Sequence, residues 1–287
     1  MSNVTINSFF DEHTSTFTYV VKDIGTNECI LIDPVLTYDQ YSGNVDDKSA
    51  NTIIHYIKNH NLHLKWILET HIHADHITAA YYIKSQIGGL ICIGAKIIDV
   101  LNLWVPMFNT YNDTMVDGSQ FDVLLQNEQV LTFGNQKVRV MHTPGHTPAC
   151  CSYIINDNIF VGDTIFMPDV GTARTDFPGG DAATLYQSIQ KILSLPDDTK
   201  IFMCHDYPPR SRKIQNISTI KDQKDSNIMI KRGITEEEYV LARNQKDANN
   251  NVPKMLLPSI QTNLRAGYFG KPDNNSTQYI KIPINKI

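Results

Sequence analysis

The chain has 287 residues, 25 Lys and Arg against 30 Asp and Glu, a formal charge of −5, and is 41% hydrophobic and 19% charged. That is an ordinary globular composition, long enough for one large or two ordinary domains. It excludes a basic field for a nucleic-acid backbone, and no apolar run or basic amphipathic stretch suits a membrane. Cys29, Cys92, Cys150, Cys151 and Cys204 are odd in number, form no CxxC pair and follow no charged-then-apolar leader, which points to a reducing, cytoplasmic setting.

From Val4 to Asp33 the residues alternate as strands do, with Thr16 to Val21 and Cys29 to Ile32 separated by the turn-like Ile24 to Asn27. Asp33-Pro34 ends the second strand. Helical periodicity runs from Ala50 to Asn59, and Leu64 to Glu69 reads as a strand leading to a helix that reaches Ile87. A short strand, Leu90 to Ile93, and a helix from about Lys96 to Trp104 follow. After a Gly- and Asn-containing connection come four strands, Val130 to Phe133, Val138 to Met141, Cys151 to Ile155 and Ile159 to Val161. A helix from Asp181 to Leu193, a strand from Lys200 to Met203 and a helix from Glu236 to Lys246 led by Thr235 complete the main pattern. The polar stretch Asn216 to Asn227 reads as a surface loop. A helix around Ser259 to Arg265, a turn at Pro272 to Asn275 and a strand from Tyr279 to Ile284 are expected at the end. Strand pairs, strand-helix units and further strands imply sheet packed on sheet with helices outside.

The chemistry concentrates in Thr70-His71-Ile72-His73-Ala74-Asp75-His76, three imidazoles and a carboxylate at the end of a strand. Residues two apart in an extended chain share a face, so His71 and His73 enter one cleft. A buried cluster of this kind is expensive unless a cation sits at its centre, and a divalent metal accounts for it. Asp75 alone would also suit a helix N-cap. Three more strand ends carry candidates: His146 in Thr143-Pro144-Gly145-His146, Asp163 after Gly162, and His205 in Cys204-His205-Asp206-Tyr207. His55, His60 and His63 lack carboxylate company and read as surface or packing residues. Cys204 ends an apolar strand with no thiolate-stabilising cation nearby in sequence and reads as structural.

These residues resemble the metallo-β-lactamase superfamily, whose His-x-His-x-Asp-His, His, Asp, His pattern is matched by His71, His73, Asp75, His76, His146, Asp163 and His205. The resemblance implies an α/β fold: an αββα sandwich of two mixed sheets packed face to face with helices on the outside. We expect one domain over residues 1–287, with about 210–287 forming a C-terminal extension packed on it. Gly171-Thr172-Ala173-Arg174-Thr175-Asp176-Phe177, Thr184-Leu185-Tyr186 and Cys204-His205-Asp206-Tyr207 resemble the persulfide dioxygenases (sulfur dioxygenases) more narrowly. The tail Leu257 to Gly267 is similar to that of their bacterial branch, the β-lactamase hydrolase-like proteins.

That narrower resemblance implies one Fe(2+) per chain held by His71, His146 and Asp163, a 2-His-1-carboxylate set with open positions. The implied reaction oxidises glutathione persulfide with both atoms of O2, and water, to sulfite and glutathione, in sulfide detoxification. His73, Asp75, His76 and His205 would then orient the ligand rings. The competing assignment is a glyoxalase II-like thioester hydrolase or a lactone hydrolase, in which the resemblance implies two Zn, one at His71, His73 and His146 and the other at Asp75, His76 and His205, bridged by Asp163. A metal-storing or persulfide-sensing module is the non-enzymatic alternative. The two carboxylates of glutathione need cations, for which Arg174, Arg210 and Arg212 are candidates, each equally readable as a surface arginine. Tyr207 is a candidate hydrogen-bonding partner. No rhodanese-type loop is recognisable, so a separate sulfurtransferase is the expected partner, and the family implies association into dimers or tetramers.

Overall fold

The computed structural model describes residues 3–286. β1 (Val4–Asp11), β2 (Thr16–Asp23) and β3 (Glu28–Ile32) form an antiparallel meander, which β6 (His63–Leu68), β8 (Leu90–Gly94) and β9 (Val123–Leu125) extend in parallel. The second sheet is β10 (Val130–Phe133), β11 (Gln136–His142), β12 (Cys151–Ile155), β13 (Asn158–Phe160), β14 (Lys200–Phe202) and β15 (Ile217–Thr219), antiparallel except for the β13–β14 pair. A small third sheet joins β4 (Val35–Tyr38) to β5 (Val45–Asp46) and β7 (Ile77–Thr78).

Period-two alternation decides which layer each side chain enters. Tyr19, Val21, Ile30, Ile32 and Leu68 point from the first sheet into the space between sheets, where they meet Phe133, Val140, Tyr153, Phe160 and Phe202. Their neighbours Val20, Leu31 and Ile67 point the other way, against α1 (Lys48–Asn59), α2 (Ala80–Ile87), α3 (Ile97–Phe108) and α7 (Leu256–Asn263). The outer face of the second sheet buries Ile154, Ile159 and Ile201 under α4 (Ala182–Leu193), α5 (Ile220–Ser226) and α6 (Glu236–Asp247). The result is the expected αββα sandwich. Among the described residues no helix is long and apolar enough to cross a membrane, and all five cysteines are buried and unpaired.

Four expectations are corrected. The connection before Val130 contains a strand, β9, too short for alternation to reveal. Asn216 to Asn227 is not a surface loop but β15 followed by α5. Two of its amides face inward: Gln223 donates to Phe166 O at 3.0 Å, and Asn227 donates to Gly171 O at 3.1 Å. The strand expected at Tyr279 to Ile284 does not form. There the Gln261 side chain stands in for a partner strand, donating to Lys281 O at 2.8 Å and accepting from Lys281 N at 3.0 Å. Finally, α2 begins only at Ala80, where Thr78 Oγ1 accepts from Ala80 N, so Asp75 is not its N-cap.

Candidate metal centre

All the motif residues leave strands at one edge of the sandwich. β6 ends at Leu68 and its continuation carries His71 to His76; the β11–β12 connection carries His146; Asp163 and His205 follow β13 and β14. Gly162, at φ +53°, makes the turn that aims Asp163; a Cβ there would lie 2.6 Å from Thr70 Oγ1, so only glycine fits.

His71, His146 and Asp163 form one group. Nε2 of each ring is 3.9 Å from Asp163 Oδ2. Their tautomers follow from the other nitrogen. His146 Nδ1 donates to Arg174 O at 2.8 Å. Thr70 Oγ1 gives its proton to Asp33 Oδ2 at 2.9 Å and is left to accept from His71 Nδ1 at 3.0 Å. Both Nε2 lone pairs therefore point inward. Burial, then the neighbouring His73 and His146, hold His71 well below the usual imidazole range, which keeps it neutral and able to ligate.

His73, Asp75, His76 and His205 form the adjoining group. His205 Nε2 lies 3.3 Å from both Asp75 Oδ2 and Asp163 Oδ1, so Asp163 faces one group with each oxygen. His205 Nδ1 contacts Ser15 O at 3.2 Å, and Thr16 Oγ1 lies 3.4 Å from His76 Nδ1. His73 turns Nε2 outward to Asp33 Oδ1 at 3.1 Å and Glu69 Oε2 at 3.5 Å. Burial would lower its pKa, but Asp33 and Glu69 raise it well above the ordinary value, while His73 in turn holds Asp33 low against its own burial.

The fit to a metal can be judged from the atoms left over. His71 Nε2, His73 Nδ1, His76 Nε2, His205 Nε2 and Asp163 Oδ1 are buried without a hydrogen-bond partner, and all belong to the two groups. Buried polar atoms rarely stay unpartnered. Four nitrogens and a carboxylate oxygen around one small space is a donor set that one or two divalent cations would satisfy.

Three contributors escaped the sequence reading. Asp33, at φ +48° and buried, accepts from Thr70 N at 2.7 Å as well as from Thr70 Oγ1 and His73. Its Asp-Pro setting after a strand was the available sign. Glu69 accepts from Thr78 Oγ1. Asn263, on α7, donates to His73 O at 2.9 Å and His76 O at 2.8 Å and accepts from Thr78 N at 2.9 Å. One buried amide thus fixes the backbone of the histidine loop, and nothing in the local pattern marks it.

A cavity of about 320 Å³ opens on His146 and Asp163, walled by Ala74, Phe166, Val170, Ala173 and Phe177. Tyr207 lines it too, half-exposed and stacked on His205 with ring centroids 5.7 Å apart. Arg174 reaches the wall, but Asp176 holds its guanidinium through two 2.6 Å bonds over the Phe177 ring. Arg210 is exposed and outside the lining. Arg212 is clamped between Asp169 and Asp206 and does not line the cavity. Cys204 donates towards Asp33 Oδ2 at 3.7 Å, and burial followed by the nearby Asp33 pushes its thiol well above the usual range, so it is no nucleophile.

Residues 12–205 match the family model of the metallo-beta-lactamase superfamily. The chain belongs to that superfamily. It is 46% identical to a Dictyostelium discoideum protein named glyoxylase B2, with 100% of this chain and 99% of that one covered. A beta-lactamase hydrolase-like protein of Agrobacterium fabrum is 43% identical over 98% of this chain and 65% of its own length. Human persulfide dioxygenase ETHE1, mitochondrial, is 29% identical, covering 92% of this chain and 89% of its own. The crystal structure of ETHE1 from Myxococcus xanthus superposes with a TM-score of 0.73 at 26% identity, over 92% of this chain and 100% of that one. Within the superfamily, then, the chain is related to the hydrolase-like proteins and to the ETHE1 persulfide dioxygenases.

Proposed function

We propose that the chain is a persulfide dioxygenase that oxidises glutathione persulfide with O2 and water to sulfite and glutathione. The observation that carries this reading is the set His71, His146 and Asp163 opening onto an apolar-walled cavity. A soft, weakly hydrated sulfur chain and dioxygen suit such walls better than a hydrolytic water does. The likeness to ETHE1 proteins over nearly the whole chain supports it.

One Fe(2+) on His71, His146 and Asp163 would supply a redox-active centre with positions left for sulfur and oxygen. The chain's own contribution is orientation and exclusion of water. Thr70 Oγ1 and Arg174 O fix the ring tautomers of His71 and His146. Phe177 packs edge-on against His146 at 5.4 Å, and Arg174, pinned by Asp176, holds that ring in place. His205 Nε2, between Asp75 and Asp163, is positioned to hold a proton: the two carboxylates raise its pKa although burial opposes them.

A second reading rests on Asp163, whose two oxygens face both residue groups as a bridging carboxylate would. Two metals there would suit hydrolysis of a glutathione thioester, and the name of the Dictyostelium relative agrees with it. Anaerobic purification with metal analysis, then an oxygen-electrode assay against glutathione persulfide beside a thioester assay, separates the two. About one iron per chain with oxygen uptake and sulfite formation is expected. A zinc pair with thioester cleavage and no oxygen uptake would replace this reading with the hydrolase.

A further inference from the structure

The proposed reading leaves the anionic ends of the substrate without an assigned partner, and the cations around the site can be sorted by what already holds them. Three cationic side chains line the cavity beside His146 and Asp163: Arg174, Arg243 and Lys246. Arg174 is closed by Asp176. Arg243, buried, is closed by Asp247 at 2.6 and 3.1 Å and by Thr172 O at 2.9 Å. A guanidinium engaged by a carboxylate through two bonds has little charge left to offer a ligand. Lys246, in the last turn of α6, differs: its Nζ donates to Val170 O at 3.3 Å and forms no ion pair among the described residues.

Resting on the persulfide reading, we infer that Lys246 is the residue that anchors a carboxylate of the glutathione moiety, with the sulfur end directed along Phe166 and Phe177 towards His146 and Asp163. The anchor thus comes from α6, beyond the superfamily-matched residues 12–205, and not from Arg174, Arg210 or Arg212. Lys246 is exposed overall, and partial burial with the adjacent Arg243 holds its amine below its usual value against the opposing Asp247, so an arriving carboxylate relieves local repulsion as well as pairing. A wider cavity on the far side of Asp75 and Tyr207, bordered by His76 and Lys254, is the competing place for the tripeptide. It adjoins the other group of residues and does not touch His146 or Asp163.

The test compares Lys246→Ala, Lys246→Arg and Lys254→Ala in the iron-loaded full chain. Lys246→Ala should raise KM for glutathione persulfide about tenfold with kcat within about twofold, the loss of one charge-assisted hydrogen bond. Lys246→Arg should restore KM, and Lys254→Ala should leave it unchanged. The diethyl ester of the same persulfide, lacking both carboxylates, should be used equally by the parent and Lys246→Ala. Equal KM for the parent and Lys246→Ala, or a KM rise confined to Lys254→Ala, overturns the assignment. Titration calorimetry with unreactive glutathione separates this from the reaction. If the parent binds glutathione and Lys246→Ala binds it tenfold more weakly, the anchor stands even where no persulfide is oxidised. Absence of glutathione binding to the parent overturns it.

Discussion

The two ends of β2 are both buried and both polar, yet they are built on opposite principles. At its far end Asp23 accepts from Gln136 Nε2 at 2.6 Å, Asn135 N at 3.0 Å and Gly25 N at 3.3 Å, joining the first sheet to the β10–β11 turn of the second. Beside it Glu28 accepts from Gly134 N and from Lys65 Nζ at 3.2 Å. Seven residues earlier, roughly 23 Å along the strand at ~3.3 Å per residue, Thr16 touches His76 and His205 at 3.4 and 3.3 Å. There the inward ring nitrogens have no partner. A buried polar cluster is therefore not in itself a sign of function. Ligating atoms left open together are: single hydroxyls such as those of Thr110 and Ser259 also lack a partner, but only at this end do several ring nitrogens and a carboxylate oxygen converge unsatisfied among the described residues.

The largest effect is expected at Asp163, in the unsatisfied cluster. Asp163→Ala removes a carboxylate from the candidate ligand set with His71 and His146, and it should strip the metal and abolish activity, as metal analysis and turnover would show. His205→Ala removes a residue of the adjoining group only and should leave most of the metal in place. Metal loss of equal depth in both variants would instead mark the two groups as one dinuclear centre.

Asn263 supports the histidine loop from outside the motif. Its side chain ties His73 O, His76 O and Thr78 N together, as Asp23 ties the turn at the other end. Asn263→Ala should weaken metal affinity about 10- to 100-fold, the size of effect seen when groups that orient ligands are removed. Chelator competition measures it, and an unchanged far-UV spectrum with lost metal would separate loop positioning from folding. Unaltered affinity would reduce Asn263 to a packing residue.

These residues also show where the sequence was legible. β2, β3 and β12 declare themselves as short, mostly apolar runs, since each is buried on both faces, and β11 by alternation, with Val138 and Val140 buried between the more exposed Lys137 and Arg139. The seven motif residues were visible because each follows a strand and carries ligand chemistry, and the structure brings all seven to one edge. Asp33, Glu69 and Asn263 were not visible. Asp33 and Asn263 depend on neighbours distant in sequence, 40 residues from Asp33 to His73 and 190 from His73 to Asn263, and no local period encodes such pairings; Glu69 meets His73 and Thr78 nearby in sequence, but through side-chain directions that a strand end does not reveal. The segment containing Gln223 and Asn227 failed for the opposite reason. Polarity there does not mean exposure: those two amides are buried and donate to the carbonyls of Phe166 and Gly171.

The smallest effect is expected at the satisfied end, and it is the one that tests whether the comparison is sound. Burial alone would raise the Asp23 pKa, but the Asn135 N–H and the Gln136 amide outweigh it and hold the carboxyl below its ordinary value. A depressed folded pKa means that the unfolded chain takes up the proton first. The stability this gives is present in full above the unfolded carboxylate value of about 4 and is lost as pH falls through the folded one. Asp23→Asn should therefore cost about 1–2 kcal/mol at neutral pH, the scale of hydrogen bonds to a charged acceptor, and the gap to the parent should narrow as the pH drops below about 4. Metal content and KM should not move. Denaturant midpoints at several pH values, with metal analysis on the same samples, decide it: a variant that keeps its stability but loses metal would mean that the two ends of β2 are coupled and do not serve separate purposes.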